Sequence, residues 1–441
     1  MKDGFSKLSK EEKLKQVVRL FDNPPQVLEE FKSYWHSDAA TQKRFDEFSE
    51  NTITNFYLPF GIIPNVLINN KNYMVPVVIE ESSVVAAASK AAKFWSDKGG
   101  FKARVIDTQK IGQVHFIWLG EKQKLVDCFV SLHSELMINT AHLTANMQKR
   151  GGGIISIELV DMTVYESGYY QIKACFETCD SMGANFVNSC MEEMAIILTN
   201  WVENQSAFTE EEREVQIVMS ILSNYTPDCL VQAWVECDVK DMHAAAKGLS
   251  ADDFVCRFEK AVRIAQIDTH RATTHNKGIY NGVDAVVLAT GNDFRAVEAA
   301  GHTYASRSGK YASLSEVQIK DDKFVFSLTI PLALGVVGGL TNLHPLVRRG
   351  LEMLGNPDAR ELMMIAATIG LANNFAALQS LTTTGIQKGH MKMHLLNILN
   401  HFEATQDEKN RAVEHFKNQK VSFSSVRDFL LAMRENVIPN S

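Results

Sequence analysis

No two cysteines in this chain stand at CxxC spacing. The seven present (Cys128, Cys175, Cys179, Cys190, Cys229, Cys237 and Cys256) are odd in number and lie mostly in apolar segments. That argues against a disulfide framework and for reduced thiols. An excess of positive charge is missing too, since 45 Lys and Arg stand against 52 Asp and Glu, for a formal charge of −7. Coating a nucleic acid needs a basic face, so that class of function is set aside, although one local basic pocket for an anionic ligand is not. Long apolar runs are also lacking. The longest, FSLTIPLALGVVGGL (326–340), contains one proline and three glycines and is too short and broken to span a bilayer. The opening MKDGFSKLSKEEKLKQ is polar and does not read as a signal peptide, which predicts a cytoplasmic protein without membrane or nucleic-acid partners. Three motifs are absent as well: a GxGxxG after a strand, a Walker A loop and a GxSxG elbow.

What remains is an ordinary globular balance, 45% apolar and 22% charged over 441 residues, enough for two or three domains. Ser9 and Glu12 are placed as a capping box, and Leu14, Val17, Val18 and Phe21 follow at helical spacing. NYMVPVVIEE (72–81) reads as a strand running straight into a helix, SSVVAAASKAAKFW. Residues 103–224 read as β-α-β-β-α-β, with one unbroken helix over 122–147 and a strand pair joined at Glu166-Ser167-Gly168. That order is the ferredoxin-like split unit. The fold class expected is α/β (α+β). A large mixed domain is formed by residues 1–102 and 225–384, a small ferredoxin-like domain is inserted at 103–224, and a basic helical tail follows over 385–441.

Four segments carry candidate chemistry. Glu80-Glu81-Ser82-Ser83 sits at the strand-to-helix junction, where an acid can donate protons or, more plainly, cap a helix. Residues 269–278, THRATTHNKG, read as a polar, glycine-ended loop in which Arg271 could grip a carboxylate and Lys277 polarise a carbonyl. Asp293 follows a β-like run, Val286-Val287-Leu288, as an active-site acid or as a helix cap. His390 and His394 stand at i, i+4 near the C-terminus. No HExxH glutamate and no third ligand accompany them, so no metal is expected.

Together with ENTITNFYLPFGI (50–62), KRGGG (149–153), DSMGAN (180–185), GVVGGLTNLHPL (335–346) and TTGIQKGHM (383–391), these segments give the chain a resemblance to the hydroxymethylglutaryl-coenzyme A reductases of the soluble bacterial class II. It spans nearly the whole chain. The resemblance implies reduction of the hydroxymethylglutaryl-coenzyme A thioester to mevalonate and coenzyme A, or the reverse, with two NADPH or NADH. It implies that Lys277 stabilises the oxyanion, Asp293 tunes Lys277, Glu81 supplies protons, and His390, on a mobile flap, protonates the departing thiolate. Ser83, Arg271, Thr274 and Asn281 would line the acyl pocket. Asp180, Met182, Gly183, Asn185 and Asn224 would contact the dinucleotide, as would Thr144, which stands where NAD-preferring members carry an aspartate. Without that carboxylate to repel a 2′-phosphate, NADPH is expected to serve at least as well as NADH. A homodimer or a multiple of dimers is also implied. The alternative weighed is a coenzyme A-thioester binder without catalysis, which would be expected to lack at least one of Glu81, Lys277, Asp293 and His390.

Overall fold

Ser9 caps α1 (Lys10–Val17) with the full reciprocal box, its hydroxyl accepting from Glu12 N at 3.3 Å while the Glu12 carboxylate takes Ser9 N at 2.8 Å. α2 (Pro24–Ser33) and α3 (Ala39–Asp46) complete the N-terminal helices. The computed structural model describes residues 4–341, 343–385, 395–419 and 421–435. β1 (Phe60–Ile68) and β2 (Lys71–Val78) pair through the two-residue turn Asn69-Asn70. Both asparagines have positive φ, which suits the right-handed twist of a hairpin. β2 ends at Val78, short of the expected Glu81, because Glu81 turns to become the N-cap of α4 (Ser82–Ser96).

The expected break at 102/103 falls inside β3 (Lys102–Val105). That strand pairs antiparallel with β8 (Leu230–Asp238), in a sheet of order β3-β8-β10-β9 completed by β9 (Ser315–Lys320) and β10 (Lys323–Pro331). Everything between β3 and β8 therefore leaves and re-enters at neighbouring strands, and Ile106 N donates to Leu230 O at 2.8 Å across the exit. The intervening strands are β4 (Lys110–Ile117), β5 (Gly153–Asp161), β6 (Tyr169–Glu177) and β7 (Gln216–Ser223). They form a second sheet of order β5-β6-β4-β7, all antiparallel, the split arrangement expected. Its crossover helix is not continuous. It divides at Thr140 into α5 (Lys122–Asn139) and α6 (Ala141–Gln148), where the Thr140 hydroxyl donates to Leu136 O. α7 (Ala184–Asn204) is the second crossover. Each unit has its own core: Phe116, Leu125, Met191 and Leu198 are among the small one, and Trp95, Phe258, Phe326 and Phe375 among the large one.

The large unit holds α8 (Ala251–Ile267), α9 (Thr269–Ala289), α10 (Phe294–Ala305), α11 (Pro345–Met353) and α12 (Ala359–Thr382). The polar loop expected over 269–278 and the β-like run at 286–288 are both parts of α9. Asp268 caps it, accepting from His270 N and Arg271 N at 3.2 and 3.1 Å, so the polar stretch starts a helix. Its valines face the core, and tertiary packing overrides their β preference. Among the described residues α12 is the one helix long and apolar enough to cross a membrane, and 83% of its apolar window is buried within the protein. α9 and α12 cross closely. A Cβ on Gly282 would meet Ile369 O at 2.5 Å, and one on Gly370 would meet Val283 Cγ2 at 2.7 Å. Residues 395–401 (α13), α14 (Gln406–His415) and α15 (Phe423–Glu435) gather round a small third core of Leu399, Ala412, Val426 and Leu430.

Gly282→Ala places its methyl against backbone, which cannot rotate away. It should cost about 1–3 kcal/mol as overpacking does, read as a lower denaturation midpoint in urea with an unchanged slope.

Candidate active site

α9 presents Arg271, Thr274, Lys277 and Asn281 at spacings of three and four, one stripe of the helix. The face between them is buried and structural. His275 bonds Ser315 Oγ through Nε2 at 2.6 Å, Ser315 Oγ donates to Asn374 Oδ1 at 2.8 Å, and Asn276 exchanges bonds with Ala312 O and Leu314 N at 2.9 and 3.0 Å. Burial, with Arg271 adding to it, pushes the His275 pKa down to about 3, so this imidazole is neutral and holds the helix in place. On the stripe, Arg271 is half-buried with no side-chain partner among the described residues, and burial pulls its pKa down. Thr274 donates to His270 O at 3.3 Å.

The Lys277 ammonium stands 3.8 Å from Glu81 Oε2, the two side chains being 64% and 39% exposed. Ser83 donates to the other oxygen, Glu81 Oε1. As N-cap of α4, Glu81 makes no side-chain cap bond, which leaves its carboxylate to Ser83 and Lys277. The structure thus brings Glu81, Ser83 and Lys277 together from two helices. Asp293 is placed differently. It caps α10, accepting from Arg295 N and Ala296 N at 3.0 and 3.2 Å, and its carboxylate holds the Arg295 guanidinium at 3.2 and 3.3 Å. Lys277 and Asp293 form no ion pair among the described residues. His390 lies outside the described residues.

The DSMGAN segment lies where the two units meet. Asp180 O accepts from Val336 N at 2.8 Å, and the Asp180 carboxylate takes Ala359 N, at the start of α12, at 3.0 Å. Asp180 is thus a junction residue, with its carboxylate already committed. Gly335 comes so near that a Cβ would meet Met182 N at 2.5 Å, and Asn292, the neighbour of Asp293, locks Gly335 with two bonds of 2.8 and 3.0 Å. Gly183, with φ of 91°, turns the chain into α7, where a Cβ would strike Thr178. No side chain caps α7, so its first amides are free to meet an anion. Met182, Gly183 and Asn224 line one pocket with Lys110, Thr226 and the Ala296–Val297 face of α10. Asn185 is exposed in the first turn of α7.

Thr144 is the exception. It is 2% exposed, and its hydroxyl donates to Ala141 O of its own helix at 3.2 Å. It packs inward with Met147, so the position expected to face a ribose is closed to one. Sequence reasoning also passed over Lys110 and Thr226. Lys110 opens β4 and Thr226 lies in the connection after β7, and the only signal was one lysine heading an apolar run.

The comparisons bear on this geometry. The family model described as hydroxymethylglutaryl-coenzyme A reductase matches residues 11–395. A 3-hydroxy-3-methylglutaryl-coenzyme A reductase of Archaeoglobus fulgidus is 35% identical over 433 residues, 98% of this chain and 94% of the relative. A class II enzyme of that name from Streptococcus pneumoniae, bound to NADPH in open conformations, superposes with a TM-score of 0.70 at 35% identity, covering 86% of this chain and 99% of that one. A second structure from the same organism gives 0.72 at 33% identity over 98% and 99%. The class these matches define is an NAD(P)H-dependent oxidoreductase. Within it, this chain belongs to the hydroxymethylglutaryl-coenzyme A reductase family, of the class II, bacterial type.

Two outcomes follow from buried positions. Burial, reinforced by facing Glu298 of α10, pushes the Asp284 pKa up to about 8. The folded carboxyl then keeps a proton that the unfolded chain releases in the usual carboxylate range. Stability should therefore fall as pH rises from that range to about 8. Urea unfolding at several pH values should show this decline flattened in Asp284→Asn. Thr144→Asp buries a carboxylate and should lower Tm, with the ratio of NADPH to NADH affinity unchanged. A shift of that ratio in a fully stable variant would return position 144 to the cofactor.

Proposed function

We propose that this chain reduces the thioester of hydroxymethylglutaryl-coenzyme A to mevalonate and free coenzyme A, through bound mevaldehyde. The observation that carries this is the Lys277–Glu81 pair, held by Ser83 on one side and flanked on α9 by the unpartnered Arg271. Two molecules of NAD(P)H, bound one after the other, would supply one hydride each, the first to the thioester carbonyl and the second to the aldehyde. The chain's residues do the rest. Arg271 grips the free carboxylate of the acyl group through paired N–H donors, and Thr274 and Asn281 stand on the same stripe to fix its orientation. Lys277 meets the carbonyl oxygen where negative charge develops. Glu81, beside that ammonium, returns protons to the site, so each hydride delivered to carbon is matched by a proton on oxygen or sulfur. Asp293 acts on the lysine once Arg295 releases it. His390 protonates the coenzyme A thiolate, which would otherwise reattack the aldehyde.

The dinucleotide fits the residues present. The uncapped start of α7, the close-packed Gly183 and the pocket beside Asn224 offer amide donors to a phosphate and no competing side-chain cap. We place the protein in the cytoplasm and take its working form to be a dimer or a multiple of dimers, which light scattering tests directly. A thioester-binding protein without chemistry is the weaker reading, since Glu81, Lys277, Asp293 and His390 are all retained.

Lys277→Ala should lower kcat by about 10²–10³ with the fold intact. Dinucleotide consumption monitored with the acyl-coenzyme A substrate measures it, and a rate within a few-fold of the unaltered chain would remove Lys277 from the chemistry. His390→Gln should slow thioester reduction far more than reduction of added mevaldehyde, which has no thiolate to protonate. Equal slowing of both half-reactions would end the thiolate role.

A further inference from the structure

α9 and α10 fold back on each other around the turn 290–293, which ends α9 at Thr290 and caps α10 with Asp293. Their closest approach is at Tyr280 and Gly301. A Cβ on Gly301 would lie 1.4 Å from the Tyr280 hydroxyl, so the phenol occupies the place of the missing side chain. That hydroxyl is enclosed and has no partner. His302 tilts against the same ring, centroids 4.8 Å apart, and its Nδ1 meets Tyr311 OH at 2.7 Å.

One turn on from Tyr280, Asp284 continues the stripe of Lys277 and Asn281, but here α10 covers it. Its Oδ1 is enclosed without a partner, and Glu298 of α10 brings a second carboxyl within hydrogen-bonding reach. Two carboxylates have no donor between them, so this pair bonds only while it keeps a proton. No cation relieves it, since neither acid forms an ion pair among the described residues. On the neighbouring elements Lys71 is held by Glu361, Arg295 by Asp293, and Arg348 and Arg349 by Glu352, while Lys310 donates to Ile267 O. Burial pulls the His302 pKa down, and α12 meets this stretch through Ile369 and Asn373. Loss of the shared proton therefore sets two like charges against each other between two packed helices.

We propose that the Asp284–Glu298 pair is a proton-held latch that fixes α10 on α9 and thereby positions Asp293 for the reduction. This rests on the proposed role of Asp293 toward Lys277. Neither latch carboxyl touches a reacting group; both are positioning residues. The turn between the helices also carries Asn292, which holds Gly335, so an open latch disturbs Asp293 and the junction with the small unit together. The folded pair keeps its proton to about pH 8, so the latch is closed at neutral pH and opens as pH rises past that value.

The pH dependence of kcat for reduction of the acyl-coenzyme A substrate tests this in the unaltered chain, Asp284→Asn, Glu298→Gln and Asp284→Leu. One unit above about 8, the unaltered chain should lose roughly tenfold of its neutral-pH kcat beyond any loss in the two amide variants. Those variants keep a donor between the helices at every pH and should hold their kcat there. Asp284→Leu, with no donor, should have a low kcat at all pH values and an unchanged KM. Amide hydrogen exchange, without substrate or cofactor, reads the latch separately. The Gly291 and Asn292 amides, bonded to Leu288 O and Val287 O at 3.1 and 2.9 Å, should lose protection above about pH 8 in the unaltered chain and keep it in Asp284→Asn. An alkaline fall in kcat of equal size in the unaltered chain and both amide variants overturns the proposal. Protection that does not change across that range overturns it too. If the unaltered chain shows no reduction at neutral pH, the proposed function fails, and the exchange measurement alone decides for or against the latch. Should Asp284→Asn not fold, Glu298→Gln decides by the same two readouts.

Discussion

The close crossing of α9 and α12 is the constraint from which the site follows. Two helices approach this nearly only where one side of each carries no side chain, and Gly282 and Gly370 supply that on the two partners. Once α9 lies against α12, its rotation about its own axis is fixed. Ile279, Val283 and Val286 must face inward, and the stripe from Arg271 to Asn281 must face out. The polar chain His275–Ser315–Asn374 sets the sliding position as well, since these three side chains can be satisfied only at one height along both helices. Lys277 therefore reaches Glu81 through a register set by buried glycines and a neutral histidine, none of which touches the reacting groups.

A second constraint joins the two units. Asp180 uses its carbonyl on Val336 and its carboxylate on Ala359, while Gly335 fits against Met182 and is locked by Asn292. The chain from the DSMGAN segment to the turn carrying Asp293 is thus only a few residues of direct bonding. Moving the small unit relative to the large one would disturb Asn292 before it reached Lys277. The same frame explains why the insertion is tolerated, since its two ends lie on adjacent strands β3 and β8 and close on each other at Ile106 and Leu230.

Much of this was legible in the sequence, and unevenly so. Capping signals act over three residues, so Ser9 and Glu12 were readable directly. The β-α-β-β-α-β order was readable because each element has its own period. The polar stretch 269–278 misled because glycine, threonine and asparagine are poor helix formers when nothing else acts, whereas here Asp268 starts the helix and α12 continues it by tertiary packing. Thr144 misled for a related reason. A count along the chain gives distance from Gly151 but not which face of α6 turns inward. The unpartnered Thr226 hydroxyl could not be read at all, because lack of a partner is a property of three dimensions.

The distribution of energetic cost separates the site from its frame. An ion pair as exposed as Lys277–Glu81 contributes about 0–1 kcal/mol, so stability does not account for holding a lysine and a glutamate within 3.8 Å there. The half-buried Arg271 without a counter-charge acts against the folded state, and so does the enclosed, unpartnered Thr226 hydroxyl. By contrast, the frame residues His275, Asn276 and Ser315 are bonded wherever the core surrounds them, apart from one ring nitrogen of His275. Among the described residues, enclosed polar atoms without partners also occur elsewhere in the frame, on Trp95, Tyr280, Asp284 and Thr368. The outward stripe of α9 differs in that its unmet group, the Arg271 guanidinium, is a charge that only an anion can compensate. An anion bound there would raise the stability of the whole chain, because the charge it neutralises is already part of the fold.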